Sequence, residues 1–254
     1  MTRFVLISDT HLQEPVLPQG DVLVHAGDFT MSGSLSETRQ AMKWLGRAAR
    51  NFEHVVCVGG NHDFFMYHAH AEVMRDFIRP YGKNIIYLEN ESALICTDDK
   101  EIKIWGSPVQ PEFCNWAWNE ERGSQIKATW DRIPAGLDLL ITHGPPHHIL
   151  DWVGHDRVGC RDLRDALDRV QPKVHVFGHI HGGYGKAQAF TSDGATTQCY
   201  NAAVVGEVIY ETHIAADGTK YQVGHYEIDP KHKPWVLDYD GKTFTEVPGV
   251  YNAI

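Results

Sequence analysis

Five short apolar runs punctuate the chain, and each breaks off into glycine, aspartate and histidine. Phe4-Val5-Leu6-Ile7 leads into Asp9-x-His11, and Val22-Leu23-Val24 passes through His25 into Gly27-Asp28. Val55-Val56-Cys57-Val58 leads into Gly59-Gly60-Asn61-His62-Asp63. Leu139-Leu140-Ile141 ends at Thr142-His143-Gly144, and Val174-His175-Val176-Phe177 ends at Gly178-His179-Ile180-His181. Continuous apolar runs of this length, bounded by turn residues, predict strands buried on both faces. Helical spacing falls between them. Residues 34–50 predict a helix capped at Ser34 or Ser36, with Met42 and Trp44 in the core. Further helices are predicted over 69–79, stopped by Pro80 and Gly82, over 124–131, and over 160–170. This order gives a sheet of parallel character. Between Ile85 and Trp105 the pattern changes to short alternating strands around Asp98-Asp99-Lys100, a hairpin signature. A second hairpin is signalled at Asp217-Gly218, in a β-rich part beyond residue 185. With neither repeats nor a convincing linker, residues 1–254 read as a single α/β domain.

Composition narrows the classes. At 43% hydrophobic and 22% charged residues, the 254-residue chain is ordinary for a globular protein. A formal charge of −10 and the lack of a Lys/Arg cluster argue against a nucleic-acid polymer as partner. A small phosphorylated substrate stays compatible, because bound cations reverse the local charge. The five cysteines are odd in number and unpaired in spacing, which reads as small buried hydrophobes in a reducing compartment. No signal peptide and no membrane span is visible, so the expectation is a cytoplasmic protein without a membrane partner. Histidine is the outlier, at 16 residues.

The candidate chemistry lies where each run ends. Asp9 and His11, two residues apart on an extended segment, would point to one side and reach one ion. Gly27 lets the backbone come close at Asp28, whose two oxygens can bridge two cations. His25, one strand residue earlier, reads as a packed residue, and His68 and His70 as solvated ones. His179 and His181, again two apart, would reach neighbouring ions. Asp9, His11, Asp28, Asn61, His143, His179 and His181 make seven groups, more than a closed zinc site needs. They fit two ions sharing Asp28. Nitrogen and oxygen ligands without cysteine suit Mn²⁺, Fe, Zn²⁺ or Ni²⁺, with Mn²⁺ the first expectation. Two ions ~3.5–4 Å apart clamp the attacking and leaving oxygens of an in-line displacement and bring a shared water towards ionisation. His62 is the group left over, adjacent to Asn61, and is read as the acid that protonates the leaving oxygen or as a group that stabilises charge on the phosphorane-like state. Asp63 is expected to orient it and to raise its pKa. Asn61, His62 and Arg122 are the expected substrate contacts, Arg122 pairing with phosphate or else with a structural carboxylate. The aromatic loop 106–123 either walls a pocket or plugs against the core.

The order D-x-H, G-D, G-N-H-D, H-G, G-H-x-H resembles the calcineurin-like metallophosphoesterases. Thr142-His143-Gly144-Pro145-Pro146, Arg157-Val158-Gly159-Cys160, Gly106-Ser107-Pro108 and His175 to His181 with Gly183-Tyr184-Gly185 are similar to the metallophosphoesterase-domain-containing (MPPED-like) branch. The resemblance implies a two-sheet β-sandwich flanked by helices. It implies one ion held by Asp9, His11, Asp28 and His181, and a second by Asp28, Asn61, His143 and His179. It also implies a phosphodiesterase acting on 2′,3′- or 3′,5′-cyclic nucleotides. Some branch members lack the first His of G-H-x-H and are weak enzymes that hold nucleotides; here His179 is present. The alternatives are a nucleotide- and metal-binding protein with negligible turnover, a broad phosphomonoesterase, or a nuclease, the last disfavoured by the acidic balance. From about Gly206 to Pro230 the hairpin is longer than the branch pattern, which leaves the lid and a homodimer open.

Overall fold

Buried on both faces, the apolar runs become parallel strands of two six-stranded sheets. The computed structural model describes residues 1–97, 100–215, 217 and 219–249. In the first sheet Thr2–Ile7, Val22–His25, His54–Cys57 and Ile85–Tyr87 run parallel, and Trp235–Tyr239 and Phe244–Glu246 extend it antiparallel. In the second, Lys100–Ser107, Leu139–Thr142, Val174–Phe177 and Thr196–Asn201 are parallel. Glu91–Thr97 and Gly185–Phe190 close its two edges antiparallel. The expected hairpin around residue 98 is therefore present, although Asp98 and Asp99 lie outside the described residues.

Strand periodicity decides what each face meets. Phe4, Leu6, Val22, Val24 and Val56 pack with Ile104, Leu139, Ile141, Val174 and Val176 in one buried layer between the sheets. The alternate residues Val5, Ile7, Leu23 and Val55 face outward, where Met42 and Leu45 of helix α1 (Leu35–Ala48) join the same outer core. Helices α3 (Ser124–Trp130) and α4 (Arg161–Val170) bring Ile126, Trp130, Leu163 and Leu167 into that core. The result is the two-sheet sandwich flanked by helices. The Ser34 hydroxyl caps α1 by accepting from Glu37 N at 3.2 Å.

Two expectations need correction. Helix α2 (Phe64–Ile78) starts well before residue 69, and a left-handed residue, His70 with φ 59°, breaks it internally. Cys57, Cys160 and Cys199 are buried as expected, but Cys96 and Cys114 are exposed. The late hairpin forms between Ile209–Ile214 and Lys220–His225, with its Gly218 outside the described residues. Both its strands are largely exposed and join neither large sheet. Among the described residues, no helix is long and apolar enough to cross a membrane.

A buried polar tie fastens one sheet to the other. Asp138 Oδ1 accepts from Lys173 Nζ at 2.6 Å and from the Tyr239 hydroxyl at 2.8 Å, and Oδ2 accepts from Lys103 N at 2.8 Å. Burial alone would raise this carboxyl, but those donors outweigh it and hold it below the usual carboxylate range. Burial would likewise lower Lys173, yet its bonds to Asp138 and Tyr239 raise it. Asp138→Ala is expected to cost about 1–3 kcal/mol at neutral pH. A carboxyl depressed on folding stabilises above its unfolded pKa, and the gain is lost as pH falls through the folded one. The raised lysine contributes through neutral pH and loses its share as pH rises through its folded pKa. Urea midpoints of wild type and variant should therefore converge in strong acid, and a gap unchanged down to about pH 2 would contradict the assignment.

Candidate metal centre

Parallel pairing aligns the C-terminal ends of the central strands, and the two sheets are stitched together there. Ser8 N donates to Ala202 O at 2.8 Å and Val204 N to Ser8 O at 3.0 Å, while within the second sheet Gly178 N donates to His143 O at 2.9 Å. The turns after five strands thus empty into one place. All seven expected ligand residues meet there, with His62 beside them. Three groups of ligand atoms each fall within 4.8 Å: Asp9, His11 and His181; His11, Asp28 and His62; and Asp28, His143 and His179. The Asn61 Oδ1 atom lies 2.8 Å from His143 Nε2 and 2.7 Å from His179 Nδ1.

The backbone that achieves this is not extended. Asp9, His11, Asp28 and His179 have φ of 53°, 42°, 58° and 65°. The same-side argument from i, i+2 spacing therefore gives the right residues for the wrong reason. Left-handed turns at strand ends aim backbone N–H groups into the site as well as side chains: His179 N lies 3.0 Å from both Asp9 carboxylate oxygens, and His62 N donates to Asp28 Oδ1 at 2.8 Å. Close approach also explains two glycines. A Cβ on Gly178 would collide with the Asp9 carboxylate, and one on Gly60 with Asp28.

Four of the imidazoles are held by the far nitrogen. A backbone carbonyl only accepts, so the Nδ1 atoms of His11, His62, His143 and His181 donate to Thr30 O (2.8 Å), Met31 O (2.6 Å), Ala26 O (2.9 Å) and Gly206 O (2.9 Å). That turns the four Nε2 atoms towards the site, as ligating histidines require. Wholly buried, His11 Nε2 has no hydrogen-bond partner among the described residues. An orphaned imidazole nitrogen beside buried carboxylates is the donor set a divalent cation fits.

Electrostatics point the same way. Asp9 and Asp28 are both buried. Burial would raise them, but the hydrogen bond and charge of His181 hold Asp9 below the carboxylate range, and the histidines around Asp28 do the same there. His143 is raised to about 9, Asp28 overcoming its burial, while burial lowers neighbouring His179 to about 3 and His11 to about 4. His25 is buried, lowered to about 3, stacked on Phe29 at 3.7 Å and bonded to the Thr10 hydroxyl. It is a packed residue, as expected.

Two expected roles fail on geometry. Asp63 does not touch the His62 ring; its carboxylate accepts from Phe29 N, Thr30 N, the Thr30 hydroxyl and Gly60 N. It braces the Asp28 turn against the Asn61 turn, and the Met31 carbonyl orients His62 instead. Burial, with the charge of Asp28, pushes Asp63 up to about 7 against those hydrogen bonds. Arg122 does not reach the site either. Its guanidinium donates to Gly159 O at 2.9 Å and Val158 O at 2.6 Å, so it fastens one surface loop to another.

Above the ligand atoms opens a pocket of about 410 Å³. Its walls include Phe113 and Trp116 from the aromatic loop, Trp152 and Val153, and Tyr226. The Trp116 ring packs on His62 at 4.3 Å. Arg157, salt-bridged to buried Asp151 at 2.7 Å, lies 3.8 Å over the Trp152 ring. No sequence pattern singles out Trp152 or Tyr226, since nothing near either in the chain resembles a ligand motif.

Comparison with known proteins places this geometry in context. Residues 2–183 match the family model described as calcineurin-like phosphoesterase. Metallophosphoesterase domain-containing protein 1 of Homo sapiens is 42% identical over 225 residues, 80% of this chain and 66% of that protein. A UPF0046 protein of Caenorhabditis elegans is 36% identical over 219 residues, covering 76% of this chain and 54% of the relative. The chain thus spans slightly less than two thirds of the human relative's length. The crystal structure of TT1561 from Thermus thermophilus superposes with a TM-score of 0.55 over 88% of this chain and 99% of the other. At 11% identity that likeness speaks to the fold alone.

Proposed function

The chain belongs to the calcineurin-like phosphoesterase family, and from that premise we propose that it is a dinuclear phosphodiesterase for small diesters such as 2′,3′- or 3′,5′-cyclic nucleotides. One observation carries the dinuclear reading. Asp28 Oδ2 lies 3.7 Å from His11 Nε2 and 3.4 Å from His143 Nε2, so a single carboxylate serves both clusters of nitrogen. Asp9, His11, Asp28 and His181 would hold one divalent ion, and Asp28, Asn61, His143 and His179 the other, with Mn²⁺ the first candidate. Bound there, the ions supply charge neutralisation for the phosphoryl group and bring water towards ionisation at neutral pH.

The chain's own residues do the rest. His62, fixed through Nδ1, presents Nε2 to the pocket and delivers a proton to the departing oxygen. The Asn61 side chain, flanked by His143 and His179, orients the phosphate. Flat apolar walls at Trp116 and Trp152 suit a nucleobase better than a bare phosphomonoester. Metal-stripped protein resupplied with Mn²⁺ should hydrolyse bis-p-nitrophenyl phosphate and at least one of 2′,3′- and 3′,5′-cyclic AMP. Two bound ions without turnover on any of them would favour the nucleotide-holding protein instead.

A further inference from the structure

The family match ends at residue 183, yet the pocket does not. Glu207, Val208 and Tyr226, at the base of the late hairpin, line the same pocket as Asp28, His62 and His181. We propose that Tyr226 is a substrate-contacting residue of this phosphoesterase, its hydroxyl donating to a phosphoryl oxygen while its ring holds the His11 imidazole in place. The proposal rests on the phosphoesterase reading of the site.

Three observations carry it. The Tyr226 ring stacks on His11 at 4.2 Å and 21°, and lies 5.0 Å from the His181 ring and 6.3 Å from His62, so it stands over the ligand atoms themselves. Its hydroxyl has no hydrogen-bond partner among the described residues, which leaves a hydroxyl donor at a pocket whose other side-chain donors are imidazole, indole and amide N–H groups. The hairpin base is also fixed to the site from both sides. Gly206 O holds His181 Nδ1, Gly206 N donates to Glu227 O at 3.1 Å, Val205 pairs with Ile228, and Gln13 Nε2 donates to Tyr226 O at 3.0 Å. A phenol on so constrained a backbone is positioned before substrate arrives, which is what makes a hydrogen-bond donor effective on developing phosphoryl charge.

Ring and hydroxyl separate experimentally. In the Mn²⁺-loaded full chain, Tyr226→Phe keeps the stack and removes the donor, and kcat/KM on bis-p-nitrophenyl phosphate should fall about 100-fold with two ions still bound and the melting temperature unchanged. Tyr226→Leu removes both and should in addition weaken Mn²⁺ binding. Inorganic phosphate, titrated calorimetrically into the same Mn²⁺-loaded proteins, should bind about tenfold more weakly to Tyr226→Phe than to wild type. This arm keeps the proposal testable apart from the substrate: a wild type that binds phosphate but hydrolyses no diester overturns the phosphodiesterase reading, not the contact. Unchanged kcat/KM and unchanged phosphate affinity in Tyr226→Phe would overturn the proposal. So would a loss of rate that only tracks a loss of metal or of melting temperature.

Discussion

Asp28→Ala is expected to lower turnover by about 10³-fold or more, equivalent to about 4 kcal/mol of transition-state stabilisation. Asp28 is the carboxylate that lies beside both His11 and His143. Its Oδ2 sits between His11 and His143, and its Oδ1 accepts the backbone N–H of His62. Removing the carboxylate therefore takes a shared ligand from both clusters and loosens the turn that carries the proposed acid. Metal analysis should read fewer than two ions per chain, while the melting temperature of the metal-free variant reports whether the fold survives. Asp28→Asn, nearly isosteric and able to accept at Oδ1, separates loss of charge from loss of volume. Full turnover with two ions bound to Asp28→Ala would dismiss the shared-carboxylate reading.

His62→Gln is expected to leave two ions bound and to lower kcat by about 10²–10⁴-fold on substrates whose leaving oxygen needs a proton. The leaving group is the diagnostic. A p-nitrophenolate departs unprotonated, so its diester should lose far less than a cyclic nucleotide, whose ribose alkoxide cannot leave well without help. An equal loss on both would refute proton donation and point to stabilisation of phosphoryl charge. His62 also shares one of the three ligand groups with His11 and Asp28, so a rival role as a ligand exists. Metal content of the variant decides between them: a lost ion assigns His62 to coordination. Trp116 on one face of the ring and the Met31 carbonyl at Nδ1 limit its motion, and this rigidity suits a positioned acid.

What is legible in the sequence is whatever is written locally. An apolar run followed within a few residues by glycine and a carboxylate or imidazole states both a strand and the chemistry at its end. Asp9, His11, Asp28, Asn61, His143, His179 and His181 are found that way, and the structure brings them together. The sandwich follows from the resemblance; the runs alone indicate parallel strands without saying how the sheets stack. Groups that any residue can supply stay hidden. Every residue carries a carbonyl, so nothing marks those of Ala26, Thr30, Met31 and Gly206 as the ones that turn four imidazoles. Arg122 fails because a charge beside an aromatic loop says nothing about which carbonyls await it. Asp63 fails because neighbours in sequence need not be neighbours in side chain: the turn sends its carboxylate back into the Asp28 loop. Trp152 and Tyr226 reach the pocket only through packing between distant segments.

The left-handed residues of the site carry an evolutionary consequence. Each non-glycine residue held there costs roughly 1 kcal/mol of backbone strain, and Asp9, His11, Asp28 and His179 are four such positions in one small volume. Glycine at His179 would relieve part of that strain and leave the two large sheets untouched. Selection for stability and selection for catalysis therefore pull against each other at this place in the chain. A lineage released from the need to turn over substrate can drift downhill towards a sturdier, silent descendant that keeps the pocket and sheds a ligand. Histidine at 179 is thus held at a cost in backbone strain that a glycine there would not carry.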